Sequence, residues 1–161
     1  KKIHERTNPG RDFDDRFTGR SPFRIQPFYP PMGNYRGKRE SRPEKLSDCR
    51  VGSAKMLAGA QAAIVVVADS TASDVWIEDC SIVMSNMHLM ADSLGLGSCW
   101  IQGRLRVTPN GETTEDYLRK FLGYPKTYVL EAVLSLGMPQ NHPAKQELSA
   151  LPLDKIHWEK F

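Results

Sequence analysis

The chain has 161 residues, a formal net charge of +3, and 40% hydrophobic against 25% charged residues. That length suits one domain with a buried core, and no apolar run approaches the roughly 20 residues a membrane helix needs. No secretory leader is expected, and the three cysteines, Cys49, Cys80 and Cys99, are widely spaced with no CxxC. Free thiols in a cytoplasmic protein are the expectation, in place of zinc or a disulfide framework.

Charge divides the chain. Residues 1–50 carry 13 Lys/Arg against 7 Asp/Glu, and residues 51–161 carry 9 against 12. The first segment is an atypical basic, Pro-rich stretch, and the core is expected over 51–161. Residues 1–50 hold six prolines (Pro9, Pro22, Pro27, Pro30, Pro31, Pro43) and only three Ile, Leu or Val residues (Ile3, Ile25, Leu46). Composition of this kind buries little apolar surface, so a disordered or extended arm is expected. It is open to a reading as solvated coil or coil packed on a partner. A second reading is nucleic-acid binding. Arg16, Arg20, Arg24, Arg36, Lys38 and Arg39 lie among Phe17, Phe23, Phe28, Tyr29 and Tyr35, cations for phosphates and rings for bases.

Beyond this arm, Ile64–Val67 is a β-branched run suited to a strand covered on both faces. Asp69, Ser70, Thr71 and Ser73 supply a turn. The stretch Asp74–Arg104 then organises the rest. Trp76, Cys80, Val83, Met84, Met87, Met90, Ala91 and Leu94 recur at helical spacing and predict one buried stripe over Asp74–Leu94. Ser73 is the expected N-cap, and Gly95 and Gly97 the expected stop. Ser98–Ile101 reads as a short strand between Gly97 and Gly103. Thr113 or Thr114 starts a helix through Leu122, closed by Gly123 and Pro125. Tyr128–Leu136 is a second central strand, followed by a polar loop over Asn141–Lys145 and an extended tail over Ala150–Phe161. Elements in this order make an α/β or α+β layered fold.

No side chains form an acid–base, triad or metal pattern. His88, His142 and His157 lack paired carboxylates or Cys/His spacing, and Ser98 lacks a nucleophile elbow. Cys80 reads as a small core residue. No catalytic side chain and no metal ligand is therefore assigned.

The string IEDCSIVMSNMHLMADSLGLGSCWIQG closely resembles the core of the nitroreductase family, with YLRKFLGYPKTYVLEAVLSLGMP and ELSALPLDKIHWEKF resembling the segments that follow it. The likeness runs from about Gly52 to Phe161. It implies an α+β layered fold, with a central mixed sheet flanked by helices and a C-terminal tail reaching a dimer partner. It implies FMN as cofactor and NAD(P)H as donor, with a nitroaromatic, quinone or related small molecule as acceptor. The protein would then be a homodimer without membrane attachment. The flavin would lie against the backbone of Cys99, Trp100, Ile101 and Gln102, with Gly103 behind, and Lys145 would meet the phosphate. Leu151–Phe161 would cross to the partner, anchored by Ile156, Trp158 and Phe161.

The family's arginine-bearing first helix and the segment after it are missing from residues 1–50 as written. A one-base shift of the back-translated sequence restores candidates for both, in order and spacing, so an out-of-frame origin is a third reading of this segment. A core without those arginines, unable to hold FMN and without catalysis, is the competing expectation for function.

Overall fold

The computed structural model describes residues 23–28, 43–144 and 146–160, with side chains described from residue 45 onward. Within the basic arm, the backbone of Phe23–Phe28 is a strand, β1, and Pro43–Ser47 is one helical turn, α1. The remaining elements follow in chain order. They are β2 (Ala62–Asp69), α2 (Trp76–Ser93), β3 (Gly97–Gln102), α3 (Thr114–Leu122) and β4 (Tyr128–Gly137). A 3-10 turn over Lys55–Gly59 precedes β2, and two shorter ones, Leu148–Ala150 and Leu153–Lys155, lie in the tail.

The four strands form one sheet in the order β1-β2-β4-β3. The sequence expectation was a mixed sheet. Among the described residues β2 and β3 do run the same way, but β4 lies between them and every adjacent pair is antiparallel. The β2–α2–β3 crossover therefore skips one strand position, which leaves a slot that β4 fills from the opposite direction.

Both faces of the sheet are covered, as the uninterrupted apolar runs of β2 and β4 require. On one face α2 lays Cys80 and Met84 against Val66, Ala68, Ala132 and Leu134. On the other, Leu46 of α1, Cys49, Leu57 and Leu118 of α3 pack on Val65, Val67, Leu130, Val133 and Ile101. Leu46 and Cys49 are thus core residues, although they lie on the N-terminal side of the composition break at residue 50. Two hydrogen bonds tie this stretch to α3: Thr114 Oγ1 donates to Cys49 O at 2.6 Å, and Tyr117 Oη to Lys45 O at 2.7 Å.

Helix α2 departs from its expected stripe at both ends. Val75 occupies the N-cap, and Ser73 Oγ accepts from Val75 N at 3.3 Å. The C-terminus is closed by Gly95 at φ 72°, with Leu96 N donating to Ala91 O and Gly95 N to Asp92 O, both at 2.9 Å. Gly97 already belongs to β3. The buried line is narrow, Cys80, Met84 and Ala91 with Met87 half-buried, whereas Met90 and Leu94 are 61% and 66% exposed. Successive steps of 100° swing Met90 off the sheet, and Leu94 lies past the last helical turn.

Helix α3 follows its sequence signals closely. The Thr113 side chain accepts from Asp116 N at 3.0 Å, and Gly123 adopts φ 75° as the left-handed stop.

Candidate flavin-binding edge

Strand β3 pairs with β4 along one side, and no described strand pairs with its other side. Alternate backbone N–H and C=O groups of Gly97–Gln102 therefore face outward, the arrangement that strand-edge recognition uses. Its side chains anchor it from both faces. Ile101 is buried in the cluster beneath α1 and α3, while Trp100 packs on the cluster beneath α2. Neither side chain screens the outer edge, so whatever β3 offers a ligand it offers through its backbone. Ser98 is tied to α2 by a 2.7 Å hydrogen bond between its Oγ and His88 Nδ1. Cys99 is half-buried, with its thiol directed to the carbonyl of Trp100 at 3.7 Å.

The strand ends in a dense hydrogen-bonded knot. Trp100 Nε1 donates to Gln102 Oε1 at 2.8 Å. Gln102 Nε2 donates to the carbonyl and to Oε1 of Glu131, both at 3.4 Å. Gly103 N and Arg104 N both donate to the Glu131 carbonyl, at 3.1 and 2.9 Å. Arg104 Nε lies 3.2 Å from Glu131 Oε2, and Arg50 Nη1 reaches Gln102 O at 3.4 Å. Two guanidinium groups thus flank the Gln102–Gly103 backbone. Leu105, at φ 57°, turns the chain away immediately afterwards.

Glu131 occupies this place because β4 bulges there. Val66 pairs with Ala132 and Val67 with Leu130, which leaves Glu131 without a partner on β2. The residue is only 3% exposed. It is close enough to α2 to affect Cys80. Burial pushes the Cys80 thiol up to about 12, with the charges of Glu131 and Asp79 adding to the rise.

Cys99, Trp100, Ile101, Gln102 and Gly103 are brought together as one edge and its terminal turn. Lys145 lies outside the described residues, as does Phe161 of the tail. Glu131, Arg104 and Arg50 escaped the sequence reading. The available signal was a lone glutamate inside the apolar strand YVLEAVLSL, since a buried carboxylate demands a cation or several donors.

Gly103 has a role the sequence did not reveal. A β-carbon built there would lie 2.5 Å from Leu130 Cδ2 and 2.9 Å from Leu130 Cγ. Its missing side chain is required by the core.

A concavity of about 970 Å³ lies elsewhere, lined by residues that include Glu112, Glu115, Asp116, Arg119 and Lys120. Most of its charges are paired within it: Lys120 Nζ meets Glu112 at 2.6 Å and Arg119 Nη1 meets Asp116 at 2.7 Å. It shares no residue with the β3 edge. Among the described residues no group of three or more His, Cys, Asp or Glu side chains could hold a metal. No described helix is long and apolar enough to cross a membrane.

A family model described as the nitroreductase family matches residues 34–138. A protein of Archaeoglobus fulgidus, named as a candidate NADH dehydrogenase/NAD(P)H nitroreductase, is 40% identical over 112 residues, covering 66% of this chain and 62% of its own length. A like-named protein of Methanothermobacter thermautotrophicus is 34% identical over 109 residues, covering 66% of this chain and 53% of its own. The chain thus matches under two-thirds of the length of these curated relatives. Among solved structures, an FMN-dependent nitroreductase from Clostridium difficile R20291 is similar at a TM-score of 0.75 and 34% identity, over 87% of this chain and 76% of that one. The family match spans the layered core from α1 through β4, and this chain belongs to the nitroreductase family.

Proposed function

We propose that the chain is the core of an FMN-dependent oxidoreductase of the nitroreductase type. It would use NAD(P)H to reduce nitroaromatics, quinones or related acceptors. The observation that carries this reading is the β3 edge. It presents backbone groups that no described strand pairs, ends at a glycine without a side chain, and is flanked by Arg50 and Arg104. The chemistry a bound FMN supplies is two-electron transfer between donor and acceptor, with extra electron density on the reduced ring.

These residues fit such a group. Outward N–H groups of the Cys99–Gln102 backbone would hydrogen-bond the polar rim of the ring, and the Arg50 guanidinium, which no carboxylate neutralises among the described residues, would complement its added charge. Gly103 closes the turn, and Lys145 would meet the phosphate. The similarity to an FMN-dependent nitroreductase supports the cofactor, and the names of the curated relatives support the nicotinamide donor.

Homodimer formation is part of the same reading. Val75, Ile82 and Leu89 repeat every seven residues on the outward side of α2 and are 49%, 60% and 68% exposed. The tail adds Leu153, Ile156 and Trp158 at 60%, 54% and 85%. Apolar surface arranged in this way suits burial against a second copy.

The test is titration of the purified full chain with FMN, followed by flavin fluorescence quenching, and then anaerobic addition of NADH or NADPH. Saturable quenching and bleaching of the flavin absorbance by at least one nucleotide are expected. A folded chain that quenches no flavin would overturn the reading in favour of a flavin-free core.

A further inference from the structure

We propose that Glu131 is a positioning residue for the flavin edge, and that its ion pair with Arg104 sets the reduction potential of a flavin held there. The inference rests on the proposed FMN site and assigns a function to a residue that sits on a different strand. It begins from the bulge in β4. A bulge adds one residue that the neighbouring strand cannot pair, and re-aims it. Here that residue is the only charged one in the strand YVLEAVLSLG. An apolar residue at this position would cost nothing to bury. A carboxylate at 3% exposure needs compensation, and here one oxygen accepts a hydrogen bond while Oε2, which makes none, relies on the charge of Arg104 beside it.

Those partners all come from the 102–104 segment. The Glu131 carbonyl receives the backbone N–H groups of Gly103 and Arg104. Its carboxylate receives Gln102 Nε2 on one oxygen and faces Arg104 Nε, 3.2 Å away, on the other. Gln102 is held in turn by Trp100 Nε1 at 2.8 Å. One residue therefore fixes the end of β3, the start of the turn and the side chain of the flanking arginine. Geometry held in this way by packed, hydrogen-bonded support is what keeps a binding backbone in register.

The electrostatic consequence follows from the pair being nearly neutral. Arg104 alone would stabilise the electron-rich reduced ring, and Glu131 alone would destabilise it. Together they hold the local field close to zero, and removal of either member leaves the other uncompensated in a low-dielectric place. Opposite substitutions must then move the potential in opposite directions. A support role without charge effect would move it in neither direction, or both variants in the same one.

The experiment compares the full chain with Glu131→Gln and Arg104→Gln. Each is loaded with FMN and titrated against a reference dye of known potential, with the melting temperature of each variant recorded. Glu131→Gln keeps the shape and is expected to favour reduced over oxidised FMN by about tenfold relative to the parent, a positive shift of ~30 mV for a two-electron couple. Arg104→Gln is expected to shift the midpoint negatively. If Glu131→Gln fails to fold, Arg104→Gln decides alone: a negative shift supports the inference, and no shift or a positive one overturns it. Unchanged midpoints in folded, FMN-loaded variants, or shifts of the same sign, would overturn the inference while the flavin reading stands. Failure of the parent chain to bind FMN would instead overturn the flavin reading, and this inference with it.

Discussion

Gly103 and Leu130 are in such close apposition that a β-carbon on the glycine would fall 2.5 Å from Leu130 Cδ2. Leu130 is fully buried and sits in the cluster that joins α1, α3 and the sheet. From sequence, a bulky residue at Gly103 is expected to weaken flavin binding far more than folding. The packing adds a cost to folding that the sequence did not show. Gly103→Val should destabilise the apo chain by about 1–3 kcal/mol through overpacking. The measurement is denaturant unfolding without flavin, and an unchanged midpoint would show that Leu130 moves aside freely.

Met84 and Met87 lie on the same side of α2 but differ in depth, Met84 being fully buried and Met87 half-buried. Met84→Asp leaves a charge with no partner between helix and sheet and should cost at least about 3 kcal/mol. Met87→Asp should cost clearly less, because its carboxylate can reach water. Equal losses in urea unfolding would mean that α2 sits deeper on the sheet than these burials show.

Thr114 joins the end of the basic segment to α3. Its hydroxyl donates to Cys49 O at 2.6 Å in a fully buried place. Thr114→Val keeps the branched shape but leaves that carbonyl without its donor, at a cost of about 1–3 kcal/mol. Thr114→Ser, which retains the donor, should recover most of the loss. Thermal unfolding of the two variants side by side checks this.

Two buried thiols couple stability to alkaline pH. Burial raises Cys49 from 9.0 to about 11, and Cys80 from 9.0 to about 12. In the unfolded chain each thiol loses its proton near 9, while the folded chain still holds it. The unfolded state therefore binds fewer protons above that pH, and stability falls as pH rises from about 9 toward 12. Below 9 both states are protonated and the thiols contribute no slope. Urea midpoints of the parent and Cys49→Ala between pH 8 and pH 11 test this. The substitution should flatten the alkaline decline, and an identical slope would remove Cys49 from its causes.

Local chemistry was enough to determine α3, β2 and β4 from sequence. Thr113 supplies the cap, Gly123 the left-handed stop, and the β-branched runs have no stable place except a sheet covered on both sides. The Cys99–Gly103 edge was legible for the same reason, since glycines bounding a short apolar run limit what the backbone there can do. Other features depended on chain segments that are distant in sequence. The 100° steps of α2 carry Met90 off the line of Cys80, Met84 and Ala91, but how narrow that buried line is depends on how the helix sits on the strands beneath it. Nothing near Gly103 in sequence announces Leu130, and nothing near Glu131 announces Arg104. These pairs are 27 residues apart and meet only because β4 inserts itself beside β3. Composition likewise put the domain break at residue 50, but burial of Leu46 and Cys49 depends on the surface that α3 and the 3-10 turn present to them. Periodicity and capping act over one or two turns, and so were visible from the start. Which glycine fills a core gap, and which arginine neutralises a buried carboxylate, is settled only when the sheet order is fixed.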